Sequence, residues 1–260
     1  MATQGRNVWY DLMTTDLDAA KRFYESVIGW KTDLFEKSDP ANPYFIWLAD
    51  AQPVGGVMAQ PADERAMGVP PHWMAHTTVD DVDAAAKKVV SLGGKVMAPP
   101  WNIPTVGRVS VVADPQGAVF SLYKPEQEVP PAKDGLIGGF GWAELNTTDY
   151  ESAWPFYSAL FGWKHRESVD MGDGFTYFMF NDASEQTQGG MSNAATMMKA
   201  PPHWAYYITV KDVNETIARI KEHGGKILNG PMEVPGNDTI ANCLDPQGAM
   251  FSIFMKGRPA

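Results

Sequence analysis

Cysteine is nearly missing from this chain: one residue, Cys243, among 260. No internal disulfide or thiolate metal cluster can form, and the composition suits a reducing cytoplasm. Basic residues are also scarce. Lys and Arg number 21 against 31 Asp and Glu, for a net charge of −10. Such a chain repels phosphate backbones and anionic lipid, so neither nucleic acid nor a membrane surface is an expected partner. No apolar run approaches the length that spans a bilayer. The opening Met-Ala-Thr-Gln-Gly-Arg lacks a signal-peptide core, and a cytoplasmic location is the expectation. Charged residues at 20% and hydrophobic ones at 44% exclude disorder, collagen and coiled coil as global readings. What is plentiful is Trp, with 9, and Met, with 14, side chains that line cavities as well as cores.

The chain repeats itself. Thr14-Thr15-Asp16, Phe23-Tyr24 and Gly29-Trp30 recur as Thr147-Thr148-Asp149, Phe156-Tyr157 and Gly162-Trp163, each at an offset of 133. Pro70-Pro71-His72-Trp73 recurs as Pro201-Pro202-His203-Trp204, and Asp114-Pro115-Gln116-Gly117-Ala118 as Asp245-Pro246-Gln247-Gly248-Ala249. Order is preserved throughout, so the halves are duplicated units. A fainter echo, Asp16-Leu17-Asp18-Ala19-Ala20 against Asp81-Val82-Asp83-Ala84-Ala85, divides the first half again. Four modules follow, in two similar pairs. Pro125, Pro130, Pro131 and the glycines up to Gly139 read as a connector. The expected division is a first domain over 1–124, a linker over 125–138 and a second domain over 139–260.

Every module has the same rhythm. Short alternating runs such as Val8 to Thr14 and Trp204 to Val210 predict strands with one buried face. Asp16, Asp81, Asp149 and Asp212 then stand as helix N-caps before amphipathic stretches, and Gly29, Gly93, Gly162 and Gly224 supply the stops. Pro155 falls inside the third helix pattern, so that helix is expected to start a turn later or to bend. Extended segments with turn signals follow each helix, and the module reads strand, helix, three strands.

A paired and duplicated βαβββ module with Asp-Pro-x-Gly before its last strand resembles the vicinal oxygen chelate superfamily, which includes glyoxalase I, extradiol dioxygenases and bleomycin-resistance proteins. The resemblance covers nearly the whole chain. The Trp-x-Asp/Glu-Leu-x-Thr-Thr-Asp opening and the Pro-Pro-His-Trp motif are similar to an actinobacterial subgroup of secreted antigens and "hydroxylases". The resemblance implies an α+β fold in which four βαβββ modules pair into two curled eight-stranded mixed sheets, helices outside, each enclosing a cavity. Modules could pair first with second and third with fourth, or first with fourth and second with third.

Metal-using members hold ligands on the first strand, seven residues before the capping Asp, and on the last strand. Carried onto this chain, those positions are Trp9, Met74, Trp142 and Ala205, then Gly56, Ser121, Gly190 and Ser252. None is His, Cys, Asp or Glu, and divalent sites need such donors. No metal or other cofactor is therefore expected, although the resemblance leaves a divalent ion conceivable. Two residues further along the same strand faces stand Asp11, Met58, His76, Tyr123, Glu144, Ser192, Tyr207 and Phe254. Asp11, Glu144 and His76 admit three readings: a structural carboxylate tied to Tyr, Trp or backbone donors; a polar anchor for a ligand; or a general acid–base, with a carboxylate as proton acceptor. Trp9, Met58, Met74, Tyr123, Trp142 and Tyr207 are candidate ligand-lining residues. His72 and His203 are candidates too, although a doubled loop histidine is also read as tying down its own turn. Trp73 and Trp204 serve either as core or as stacking surfaces. Gly55-Gly56 and Gly189-Gly190 sit in strand context, where glycine marks a close approach, and could clear space for a ligand.

The expected function is a glyoxalase- or bleomycin-resistance-like protein that binds a small, mostly apolar or aromatic metabolite or drug in a metal-free cavity, as a monomer or homodimer. The alternative is a glyoxalase-type lyase or isomerase, or a dioxygenase-like enzyme, with Asp11 or Glu144 as base.

Overall fold

The structure, a computed structural model, describes residues 4–127, 133, 135–172 and 174–257. Residues 128–132 and 134 of the expected linker, Pro130 and Pro131 among them, lie outside the described residues.

The first half runs β1 (Asn7–Thr14), α1 (Leu17–Ile28), β2 (Lys31–Leu34), β3 (Phe45–Ala49), β4 (Gln52–Ala59), a short α2 (Ala62–Ala66), β5 (His72–Thr78), α3 (Val82–Ser91), β6 (Lys95–Ile103), β7 (Gly107–Ala113) and β8 (Val119–Pro125). The second half repeats it: β9 (Phe140–Asn146), α4 (Tyr150–Phe161), β10 (Lys164–Asp170), β11 (Thr176–Asn181), β12 (Thr187–Ser192), α5 (Ala194–Met198), β13 (His203–Thr209), α6 (Val213–Glu222), β14 (Lys226–Val234), β15 (Asp238–Leu244) and β16 (Met250–Met255). The four βαβββ modules are as expected. The one-turn helices α2 and α5 carry no periodic apolar signal and were not foreseen.

Two eight-stranded sheets result, in the orders β2-β3-β4-β1-β5-β8-β7-β6 and β10-β11-β12-β9-β13-β16-β15-β14. The first and second modules therefore share one sheet, and the third and fourth the other. Both sheets are mixed: β1 runs parallel to β4 and β5 to β8, while β3–β4 and β7–β8 are antiparallel. The crossover from β1 through α1 makes the parallel pair feasible.

All four Asp caps behave as the sequence predicts. Asp16, Asp81, Asp149 and Asp212 are extended, and each side chain accepts the amide of the residue three further on. Gly29 and Gly162 close α1 and α4 in the left-handed conformation, at φ 89° and 73°. The helix carrying Pro155 does not start late. It begins at Tyr150 under the Asp149 cap, so the N-cap bond fixes its start and the proline is accommodated inside.

The chain divides into two compact units, one over 1–8, 74–131 and 142–205, the other over 9–73, 132–141 and 206–260. Within the first, α3 packs on α4; within the second, α1 packs on α6. Each unit is tied by the same buried relay. Trp204 Nε1 donates to Tyr157 Oη at 3.2 Å, which donates to Asp114 Oδ2 at 2.9 Å. In the other unit Trp73 donates to Tyr24 at 3.0 Å and Tyr24 to Asp245 at 3.3 Å. The remaining oxygen of Asp114 accepts the amides of Gln116, Gly117 and Ala118, which shapes the Asp-Pro-Gln-Gly turn. Trp73 and Trp204 are thus core, since their indoles are buried and committed to tyrosines. Two further indoles anchor chain entries: Trp163 Nε1 donates to Gly5 O at 2.7 Å, and Trp30 Nε1 to Gly138 O at 2.8 Å.

Candidate functional site

The alternation of β1 puts Trp9, Asp11 and Met13 on one face and Tyr10 and Leu12 on the other. Tyr10 turns into the core, where its ring stacks on Phe140 at 3.8 Å. On the opposite face Trp9 Nε1 and Tyr44 Oη both donate to Asp11 Oδ1, at 3.0 and 2.6 Å. Trp9 Nε1 also donates to Tyr44 Oη at 2.6 Å, closing a triangle. In the third module Trp142 Nε1 donates to Tyr177 Oη at 2.8 Å, and Tyr177 to Glu144 Oε2 at 3.0 Å. The two triads, Trp9–Tyr44–Asp11 and Trp142–Tyr177–Glu144, are equivalents in the two halves.

Beneath each tyrosine lies a glycine. Asp11 is in register with Gly56 and Glu144 with Gly190. A Cβ on Gly56 would run into the Tyr44 hydroxyl, and one on Gly190 into the Tyr177 ring. These glycines make room for tyrosines and not for a ligand, which corrects that expectation. Gly55 and Gly189 do the same for backbone, facing the Tyr10 and Ala143 carbonyls.

The remaining predicted residues divide as follows. Met58 is in register with Met13 and half-buried, as are Trp9, Trp142, Glu144 and Met74. Asp11 and His76 are buried, each 9% exposed. His76 stands in register with Ser121 and meets the Tyr123 ring edge-on at 5.8 Å. Tyr123 donates its hydroxyl to Val106 O at 3.0 Å. Tyr207 is in register with Ser252, and both accept from Asn242 Nδ2, at 3.5 and 2.8 Å. His72 and His203 donate Nδ1–H to the carbonyls of Pro70 and Pro201, at 2.9 and 2.8 Å. Each pins its Pro-Pro turn, which leaves Nε2 as an acceptor in the neutral ring. His203 Nε2 is buried and has no partner among the described residues.

The sequence reading missed Tyr44 and Tyr177. The signal was present, since Tyr44-Phe45 recurs as Tyr177-Phe178 at the same offset of 133.

The residues do not fit a divalent ion at the family's ligand positions. Trp9 turns its only polar atom, an N–H donor, toward Asp11 and Tyr44, and Trp142 turns its own toward Tyr177. Gly56 and Gly190 carry no donor and lie under tyrosines. Ser121 donates to the Leu122 carbonyl, and Ser252 accepts from Asn242. Among the described residues no group of three or more His, Cys, Asp and Glu is placed to hold a metal.

Comparison with known proteins agrees with the fold. Residues 6–122 and 139–253 each match the family described as the Glyoxalase/Bleomycin resistance protein/Dioxygenase superfamily. A Mycobacterium tuberculosis protein named "Putative glyoxylase CFP32" is 34% identical over 96% of this chain and 94% of its own length. The anthracycline biosynthesis protein DnrV of Streptomyces peucetius is 30% identical over 98% and 96%. Among solved structures, a Mn(II)-bound glyoxalase from Novosphingobium aromaticivorans superposes with a TM-score of 0.62 at 20% identity, over 98% of this chain and 83% of that one. The dioxygenase LapB from Pseudomonas sp. KL28 gives 0.66 at 14%, over 100% and 96%. Two matches to one family, in the two halves that the internal repeat delimits, establish that the chain belongs to the Glyoxalase/Bleomycin resistance protein/Dioxygenase superfamily.

Proposed function

We propose that the protein binds a small, mostly apolar or aromatic molecule against the Trp–Tyr–carboxylate walls, with no metal at the family's ligand positions. The carrying observation is the contrast between two uses of one motif. Where Trp, Tyr and Asp form a purely structural relay, all three are buried, with Tyr24 and Tyr157 at 0% exposure. In the triads of β1 and β9 the two indoles, both phenols and Glu144 stay half-buried, leaving aromatic faces to stack a flat ligand beside a fixed polar group. This reading also assigns Met58, Met74, Tyr123, Tyr207 and His203 to the ligand's surroundings. Two relatives named for anthracycline biosynthesis point to flat aromatic ligands. In this reading the protein is a cytoplasmic binder, monomer or homodimer, that sequesters a metabolite or drug. The net charge of −10 argues against nucleic acid and membrane partners.

A second reading takes Asp11 or Glu144 as the base of a glyoxalase-type lyase or isomerase, or of a dioxygenase-like enzyme, with His76 assisting. It is favoured by the relative named as a glyoxylase. Asp11→Asn and Glu144→Gln separate the two. A panel of aromatic metabolites is screened by thermal shift, and turnover of each stabilising compound is followed. Binding predicts stabilisation of the wild type, weakened in the variants, with no product. Catalysis predicts product from the wild type and none from the variants. Unchanged profiles in both variants would remove the role assigned to these acids.

A further inference from the structure

A groove of about 460 Å³ runs between α1, the C-terminal end of α6 and the second Asp-Pro-Gln-Gly turn, inside the unit made of 9–73, 132–141 and 206–260. That size is ordinary for a small-molecule site. Its floor is Phe23, buried and packed against Gly225, together with Pro246 of the turn. The other unit keeps these floor residues, with Phe156 packed against Gly94 and Pro115 in its turn. The rim is not kept. Arg22, Glu25, Ser26 and His223 line the groove, where the repeat has Pro155, Ser158, Ala159 and Leu92. Duplication has thus retained the apolar base and put both signs of charge on one copy only. Arg22 and Glu25 stand three apart on α1, a spacing at which opposite charges can meet. They do not pair: among the described residues the side chains of Arg22, Glu25 and His223 enter no hydrogen bond or ion pair. Asp18, one turn ahead of Arg22, is taken by Lys21 at 2.9 Å.

We propose that this groove is a second binding site, separate from the β1 and β9 walls, for a small zwitterion: an α-amino acid with an apolar side chain. The Arg22 guanidinium offers a planar fork that matches a carboxylate, and the His223 ring keeps at least one N–H donor whichever way it is protonated. Glu25 can only accept, and takes the ammonium. Phe23 and Pro246 carry the side chain of the ligand. Selectivity comes from having both charges on one rim. A simple anion meets Glu25 with nothing to offset it, and a simple cation meets Arg22 in the same way. The uncharged rim of the other unit supplies neither contact, so each chain has one such site.

The test titrates L-leucine, N-acetyl-L-leucine and L-leucinamide into the full-length, 15N-labelled protein and follows backbone amide shifts by NMR. L-leucine should shift amides of α1 and of the His223 and Pro246 turns with a Kd of about a millimolar, as befits charge contacts open to solvent. It should bind at least about fivefold tighter than either blocked form, the size of one charged contact. Arg22→Ala should abolish the shifts caused by L-leucine. Glu25→Ser, which installs the residue of the other repeat, should bring L-leucine down to the level of N-acetyl-L-leucine. Unchanged spectra away from the groove show that both variants fold. Equal binding of the three probes, shifts that survive both substitutions, or no shift in the groove at tens of millimolar L-leucine would each overturn the proposal. Shifts confined to β1 or β9 would overturn it too, and would leave the reading of those walls standing.

Discussion

Tyr44 lies over Gly56, and the missing Cβ of the glycine is what lets the phenol reach Asp11. Gly190 and Tyr177 repeat the arrangement. The first prediction is that Gly56→Ala expels the Tyr44 hydroxyl from its place and lowers stability by about 1–3 kcal/mol, as overpacking does. Combined with Tyr44→Ala, the added methyl should cost much less, giving a strongly non-additive cycle in urea denaturation. Additive losses would mean that the two residues do not share this space.

A second prediction concerns acid stability. Burial pushes the Asp182 carboxyl upward, but the Ser184 hydroxyl, the Arg6 guanidinium and the Gln186 and Ser184 amides outweigh it and hold the group below its ordinary range. Arg6 Nη2 lies 3.0 Å from Asp182 Oδ2. A depressed carboxylate contributes stability above its unfolded value near ~4 and loses that contribution as pH falls through its folded value. Asp182→Asn should therefore cost about 1–3 kcal/mol at neutral pH, with part of the guanidinium facing solvent. The gap from wild type should close below about pH 4 in urea midpoints. A gap independent of pH would contradict the assignment.

The turn acids behave in the opposite sense. Burial, offset only in part by backbone amides and a tyrosine hydroxyl, raises Asp114 and Asp245 above the usual carboxylate range. A raised carboxylate favours the folded state at low pH, and that advantage is lost as pH climbs from the unfolded value through the folded one. In Asp114→Asn and Asp245→Asn this downward slope should vanish, because an amide oxygen can still accept the turn amides. Urea midpoints measured at closely spaced pH values from 3 upward check it.

Cys243 is fully buried on β15, and burial pushes its thiol up to about 12. A thiol so protonated is a poor nucleophile. Dithionitrobenzoate at pH 8 should modify it at the rate of unfolding, and at once in denaturant. Rapid reaction of the folded protein would show that the site opens.

Much of this was legible in the residues. The internal repeat gave the four modules, and the doubled Asp caps and Gly stops gave the helix ends, because capping depends on residues a few positions apart. The Trp-x-Asp and Trp-x-Glu spacing put each acid on the indole's face, because strand side chains alternate. The tyrosines completing the triads escaped notice: Tyr44 is 33 residues from Asp11, and only the pairing of β3 with β4 and of β4 with β1 brings them together. The meaning of Gly56 and Gly190 was hidden for the same reason, since a glycine shows a gap without showing what fills it. The ion pair of Arg6 with Asp182 joins positions 176 apart and has no counterpart in the repeat, so no periodicity announced it.

The claim on which the account turns is that aromatic–carboxylate triads have replaced the family's ion sites. Elemental analysis of protein purified without chelator and dialysed against Mn, Fe, Ni and Zn in turn tests it most directly. The account predicts metal far below one equivalent per chain for every ion. A stoichiometric ion that resists dialysis and is lost on Asp11→Asn or Glu144→Gln would contradict it.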